Sequence, residues 1–240
     1  VELRRLTRSG LGLGVLVGFA FFGLSGPVLS IYMPEILGAA ASTDQLAISA
    51  SQATPADAIS LFNQSAMQLG LIVTVAVAIT SIGWDTRPGS SIFYRTRVRR
   101  LSTVLLPRLA VDWLIAWATY SCGLLLTVTV TAGAIGRPPA AMVVRTWVAC
   151  GLYIVMAMSI GHLLAASLRR TTTAIALTTL LVLVLPVMNQ VPGTSHWVPT
   201  ALLLPTGLHA MPVVVSLVVT GLCAVGSVLI AGRQTLRRDA

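Results

Sequence analysis

The chain contains no lysine: all 16 of its basic residues are arginine. A Walker phosphate loop needs a lysine to reach the terminal phosphates of a nucleotide, so this chain is not by itself an ATPase of that kind. Acids are also scarce, 7 in 240 residues, and charged residues of both signs make up 10%. A soluble domain carries about 25%, so little of this chain can face water. Aromatic residues are 6%, and no aromatic–basic interleaving suggests a nucleic-acid surface. The net charge of +9 therefore reads as attraction to anionic headgroups rather than to nucleic acid. The three cysteines, Cys122, Cys150 and Cys223, lie in apolar stretches with no CxxC pair, which supports neither a disulfide framework nor a zinc site. His162, His196 and His209 lack metal-ligand spacing, and GxSxG, HExxH and GxGxxG motifs are missing. No catalytic residue, metal or cofactor is assigned to the chain itself.

What is present is apolar length. Hydrophobic residues make up 55% of the chain and the mean hydropathy is +0.87. A helix crossing a bilayer needs about 20 apolar residues. Six such stretches are predicted, at about 11–33, 65–83, 104–132, 143–168, 172–188 and 212–232. The expected fold is an all-α integral membrane protein with one transmembrane domain over residues 1–240. Arginines fall in clusters between these stretches: Arg4, Arg5 and Arg8; Arg87 through Arg108; Arg169 and Arg170; and Arg233, Arg237 and Arg238. The intervening segments hold only Arg137 and Arg145. Cytoplasmic loops retain arginine, so the alternation predicts six spans with both termini cytoplasmic.

Residues 1–9 read as a short amphipathic helix on the inner leaflet. Residues 23–33 lack a clear small-residue cleavage site, so the first span is expected to be retained. Gly10, Gly14 and Gly18 form a small-xxx-small stripe suited to close helix packing. Residues 34–64 carry acids but no arginine and are expected outside, partly helical or flexible. Arg108 and Asp112, four apart near the inner end of the third span, share a helix face and are expected to form a structural ion pair. An acid within an apolar stretch is otherwise a functional candidate, here for proton or substrate handling. His162 is expected to make a packing or polar helix contact. Residues 189–211, broken by Pro192, Pro199 and Pro205, suggest a short re-entrant or interfacial piece before the sixth span.

The inner segment between spans two and three holds an ordered pattern: Asp85, Arg87, Gly89, Ser90, then Arg95, Arg97, Arg99 and Arg100. A helix capped by Ser90 or Ser91 would lie along the membrane surface with Ile92, Phe93 and Val98 among the arginines. Asp85, Gly89-Ser90, Arg100 and Arg108, with the six-span layout and the proline-rich piece at 192–212, resemble the ABC-2 type permease family. These are the membrane subunits of type V-like ABC exporters. Two departures stand out: the acid is Asp where Glu is commoner, and Pro88 interrupts the loop. The all-Arg, Ala/Val-rich usage is similar to that of actinobacterial proteins, among them the permeases of mycobacterial antibiotic-export ABC transporters.

The resemblance implies a permease subunit of an ATP-driven exporter in a bacterial inner (plasma) membrane. It implies that residues 85–100 form a coupling helix docked on a cytoplasmic ABC ATPase, present in two copies, which binds ATP and Mg. It also implies a second permease subunit, identical or homologous. The cargo would be drugs, antibiotics or other amphipathic compounds. The alternatives are a proton-coupled secondary transporter working through Asp112, or an exporter of lipid or cell-envelope components.

Overall fold

The computed structural model describes residues 10–40, 53–82, 102–168, 170–190, 197–204 and 209–236. Every regular element among the described residues is helical. The long helices are α1 (Leu11–Ala40), α2 (Pro55–Ser65), α3 (Leu71–Ile82), α4 (Ser102–Ala134), α5 (Ala140–Leu168), α6 (Thr171–Val184) and α7 (Ala210–Leu236). A π turn, Ala66–Gly70, joins α2 to α3 and makes them one span. Among the described residues six helices are long and apolar enough to cross a membrane, and the chain is a multi-pass membrane protein. In hydrocarbon the backbone must satisfy its own polar groups, which is why the spans are helices.

The second span begins ten residues earlier than the apolar run alone predicts, at Pro55 rather than near residue 65. The cause is local. The Thr54 side chain accepts from the Asp57 amide at 3.3 Å, the Asp57 carboxylate accepts from the Thr54 amide at 3.1 Å, and Pro55 opens the first turn. This reciprocal cap, with proline where no amide partner is needed, starts a helix inside a polar stretch. Ala58, Ile59 and Phe62 then form its buried face. The first membrane-length stretch is Leu11–Met33, as predicted, and its helix α1 runs on through Pro34 to Ala40.

α4 ends where Ile135 and Gly136 both donate to the Thr131 carbonyl at 2.9 Å, and Gly136 takes φ +147°, a region costly for any residue with a Cβ. The turn to α5, residues 135–139, is five residues. At Pro186, which has no amide proton, α6 gives way to the 3-10 turn Leu185–Gln190. Within the predicted re-entrant piece, Pro199–Leu203 forms a second 3-10 turn with Thr200, Ala201 and Leu202 buried. It packs on α5 and α7, and the Thr200 hydroxyl donates to the Leu185 carbonyl at 3.3 Å. The basic lead-in 1–9, the segment 84–101 that is expected to be cytoplasmic and the tail 237–240 lie outside the described residues.

Helix α5 is the axis of the bundle. It touches α3, α4, α6, α7 and the Pro199–Leu203 turn. In its apolar stretch 61% of residues are buried, against 17% in the fifth span, which therefore sits at the perimeter. A second packing unit joins α1, α2 and α4 around Tyr120. Its ring meets Phe19 edge-on at 6.0 Å and stacks on Phe62 at 5.7 Å, while its hydroxyl donates to Asn63 Oδ1 at 2.9 Å.

Candidate functional site

Helices α4 and α5 are antiparallel neighbours, so the first third of one lies beside the last third of the other. That arrangement brings together the titratable side chains the apolar spans carry near this end. Arg108 and Asp112 stand one turn apart on α4 and are 4% and 5% exposed. His162 on α5, 1% exposed, faces them, with its Nε2 3.5 Å from Asp112 Oδ2. Neither ring nitrogen of His162 has a hydrogen-bond partner among the described residues, so its contact with Asp112 is electrostatic rather than a hydrogen bond. Moving an isolated charge into such surroundings costs several kcal/mol. An Arg, a carboxylate and an imidazole placed together offset part of that cost.

The polar contact expected of His162 is therefore made, and its partner is Asp112. The 50-residue separation hides this pairing from the sequence. The signal that could have found it is topological: Asp112 and His162 both sit near the inner ends of consecutive predicted spans, and antiparallel spans put such positions side by side.

The glycine stripe is placed differently from expectation. A Cβ built at Gly10, Gly14 or Gly18 meets nothing within 4 Å, so the stripe packs on no helix among the described residues. The close approach lies further along α1. A Cβ at Gly23 would stand 2.5 Å from the Gly123 carbonyl oxygen, and one at Gly123 would stand 2.7 Å from the Phe19 carbonyl oxygen. Here α1 and α4 cross with backbones in contact, and the Thr127 hydroxyl donates to both the Gly23 and Gly123 carbonyls at 3.2 and 3.0 Å. Four-residue glycine spacing permits close packing but does not choose the partner.

At the opposite end of α5 from His162, a cavity of about 310 Å³ opens between α2, α5, the end of α6 and the Pro199–Leu203 turn. Ser60, Asn63, Gln64 and Gln68 reach it from the second span, and Arg145 and Thr146 from α5. Sequence reasoning noted Arg145 only as one of two arginines outside the basic clusters and did not single out the others, because each looks like an ordinary interfacial residue until the helices are assembled.

The proposed coupling residues Asp85, Arg87, Gly89, Ser90, Arg95, Arg97, Arg99 and Arg100 lie outside the described residues. Cys122 is exposed and Cys150 and Cys223 are buried, all as free thiols. Among the described residues no three His, Cys, Asp or Glu side chains come close enough to hold a metal ion. Comparison of the chain with protein-family models, with curated proteins and with solved structures found no match.

Proposed function

We propose that this chain is the membrane-spanning permease subunit of an ATP-driven ABC exporter, moving drugs, antibiotics or other amphipathic compounds. The observation that carries the reading is the alternation of its arginines with six membrane-length helices. All but Arg137 and Arg145 lie at or near one set of helix ends, the end that the positive-inside rule makes cytoplasmic. A basic face on that side suits docking of a separate ATPase, and a chain without lysine needs one to supply the phosphate loop. On this reading both termini are cytoplasmic, residues 84–103 carry the coupling helix, and the Pro199–Leu203 turn belongs to a re-entrant piece. ATP and Mg are held by two ATPase copies. A second permease subunit completes the pathway in the bacterial plasma membrane. ATP-driven closure would press the coupling segments together and shift the spans between two arrangements.

The test is co-purification with a cytoplasmic ABC ATPase encoded beside the chain, followed by assay of drug-stimulated ATP hydrolysis. Asp85→Ala and Arg97→Glu should leave membrane insertion normal and abolish that stimulation. Failure of any such ATPase to associate overturns the reading.

The buried Asp112–His162 contact favours one second reading, a proton-coupled carrier. Asp112→Asn separates the two. A carrier loses pH-driven transport, whereas an ATP-driven exporter keeps its ATP-dependent flux.

A further inference from the structure

The cavity beside Arg145 has a composition that the fold does not require. Helix periodicity explains how it is lined. Ser60, Gln64 and Gln68 follow at four-residue intervals along the second span, and Met142, Arg145, Thr146, Ala149 and Tyr153 share one face of α5. The floor is apolar: Met67, Cys150, Val182, Leu202 and Leu203. Amide side chains and a guanidinium above an apolar floor match a ligand with a polar head and a hydrocarbon tail. The volume, about 310 Å³, is at the small end for ligand sites and holds a head group with the first few methylenes of one chain.

The sign of the head follows from charge. Among the described residues Arg145 is the one charged side chain lining the cavity, and no acid lines it. Arg145 forms no ion pair among the described residues. A guanidinium offers five donors in a fork that fits phosphate, sulfate or carboxylate oxygens, and such charge-assisted bonds strengthen where water is scarce. The π turn Ala66–Gly70, where Leu71 donates to Ala66 five residues back, forms part of the wall through Met67 and Gln68. Turns of this kind interrupt helices most often at functional sites.

We propose that this cavity binds a single-chain amphiphile with an anionic head, the head on Arg145 with Gln64 and Gln68 around it and the tail against Met67 and Leu202. As a cargo site this deepens the exporter reading and rests on it; as a binding site it stands on the cavity alone.

The test uses the full chain in phosphatidylcholine nanodiscs, with no ATPase present, and radiolabelled dodecyl phosphate as the probe. The native chain should bind it saturably. Arg145→Gln should weaken binding roughly tenfold, the equivalent of about 1.4 kcal/mol. Arg145→Lys should recover part of that loss, and Met142→Trp should reduce binding by filling the space while keeping the charge. Uncharged dodecyl maltoside should compete poorly. Competition by a small mole fraction of phosphatidylglycerol assigns the site to a bilayer lipid, and lack of it assigns the site to a free amphiphile; both support the anionic site. No saturable binding, native-like binding by Arg145→Gln, or equal competition by dodecyl maltoside overturns the proposal. A chain that binds the probe but recruits no ATPase loses the exporter reading and keeps the site. One that recruits the ATPase but binds no probe loses the site alone.

Discussion

The two ends of α5 hold charge in opposite ways. At one end His162 is sealed against Asp112 with Arg108 one turn away, all nearly inaccessible. At the other, Arg145 stands at the rim of an open cavity among neutral amides and hydroxyls. Buried charge survives in an apolar bundle only with partners close by, so the first group must be self-contained. A guanidinium at an open rim can keep water and wait for an anion from outside. The same helix thus closes one end of the bundle with internal electrostatics and leaves the other able to receive a ligand.

That contrast can be broken most strongly at the closed end. Asp112→Ala removes the carboxylate facing His162 and leaves Arg108 buried nearby, and should destabilise the bundle by about 3–5 kcal/mol. A large drop in melting temperature, or loss of a monodisperse peak in mild detergent, is the expected readout. Replacing the group together, as Arg108→Met, Asp112→Leu and His162→Leu, should recover most of the loss, since apolar replacements of buried ionic groups are often neutral or stabilising. If Asp112→Ala melts like the native chain, the closed end is not held by charge.

Between the ends, Gly123→Val forces atoms into the α1–α4 crossing. It should cost about 1–3 kcal/mol through overpacking, whereas Gly14→Val, where a Cβ meets nothing, should melt like the native chain. Comparing the two by thermal unfolding calibrates the effect of shape without charge. A smaller change is expected from Asn63→Ala, which takes away the acceptor of the Tyr120 hydroxyl and should cost about 1 kcal/mol. Smallest of all is Arg145→Gln at the open end, expected to stay within about 0.5 kcal/mol of the native chain because the side chain is exposed and supports no packing. A melting shift as large as that of Asp112→Ala would mean that Arg145 is part of the fold rather than of a binding surface.

The six spans were legible because apolar length and arginine alternation are properties of single segments. The start of the second span was encoded too, in Thr54, Pro55 and Asp57, but a rule based on apolar length passes over a cap placed in polar sequence. Contacts between segments were harder to read. Asp112 with His162, and Gly23 with Gly123, are pairs whose members lie 50 and 100 residues apart, and nothing in either residue's neighbourhood names the other. The visible glycines at 10, 14 and 18 carry the local pattern, while Gly23 and Gly123, which touch, fall outside it. Gln64, Gln68 and Arg145 became a site only when three helices and a turn surrounded one space.

The crossing at Gly23 also bears on how the chain is made. Thr127 reaches a carbonyl 104 residues earlier in the chain. Spans enter the bilayer as individual helices and associate afterwards. As the ribosome delivers them in order, α1 must therefore dwell in lipid without this neighbour until α2, α3 and α4 have followed. Its early residence depends on its own apolar length, and its final seat depends on a helix synthesised much later. A defect at Gly23 would leave a chain that is fully threaded through the membrane but unassembled, a state that quality-control proteases recognise after translocation is complete.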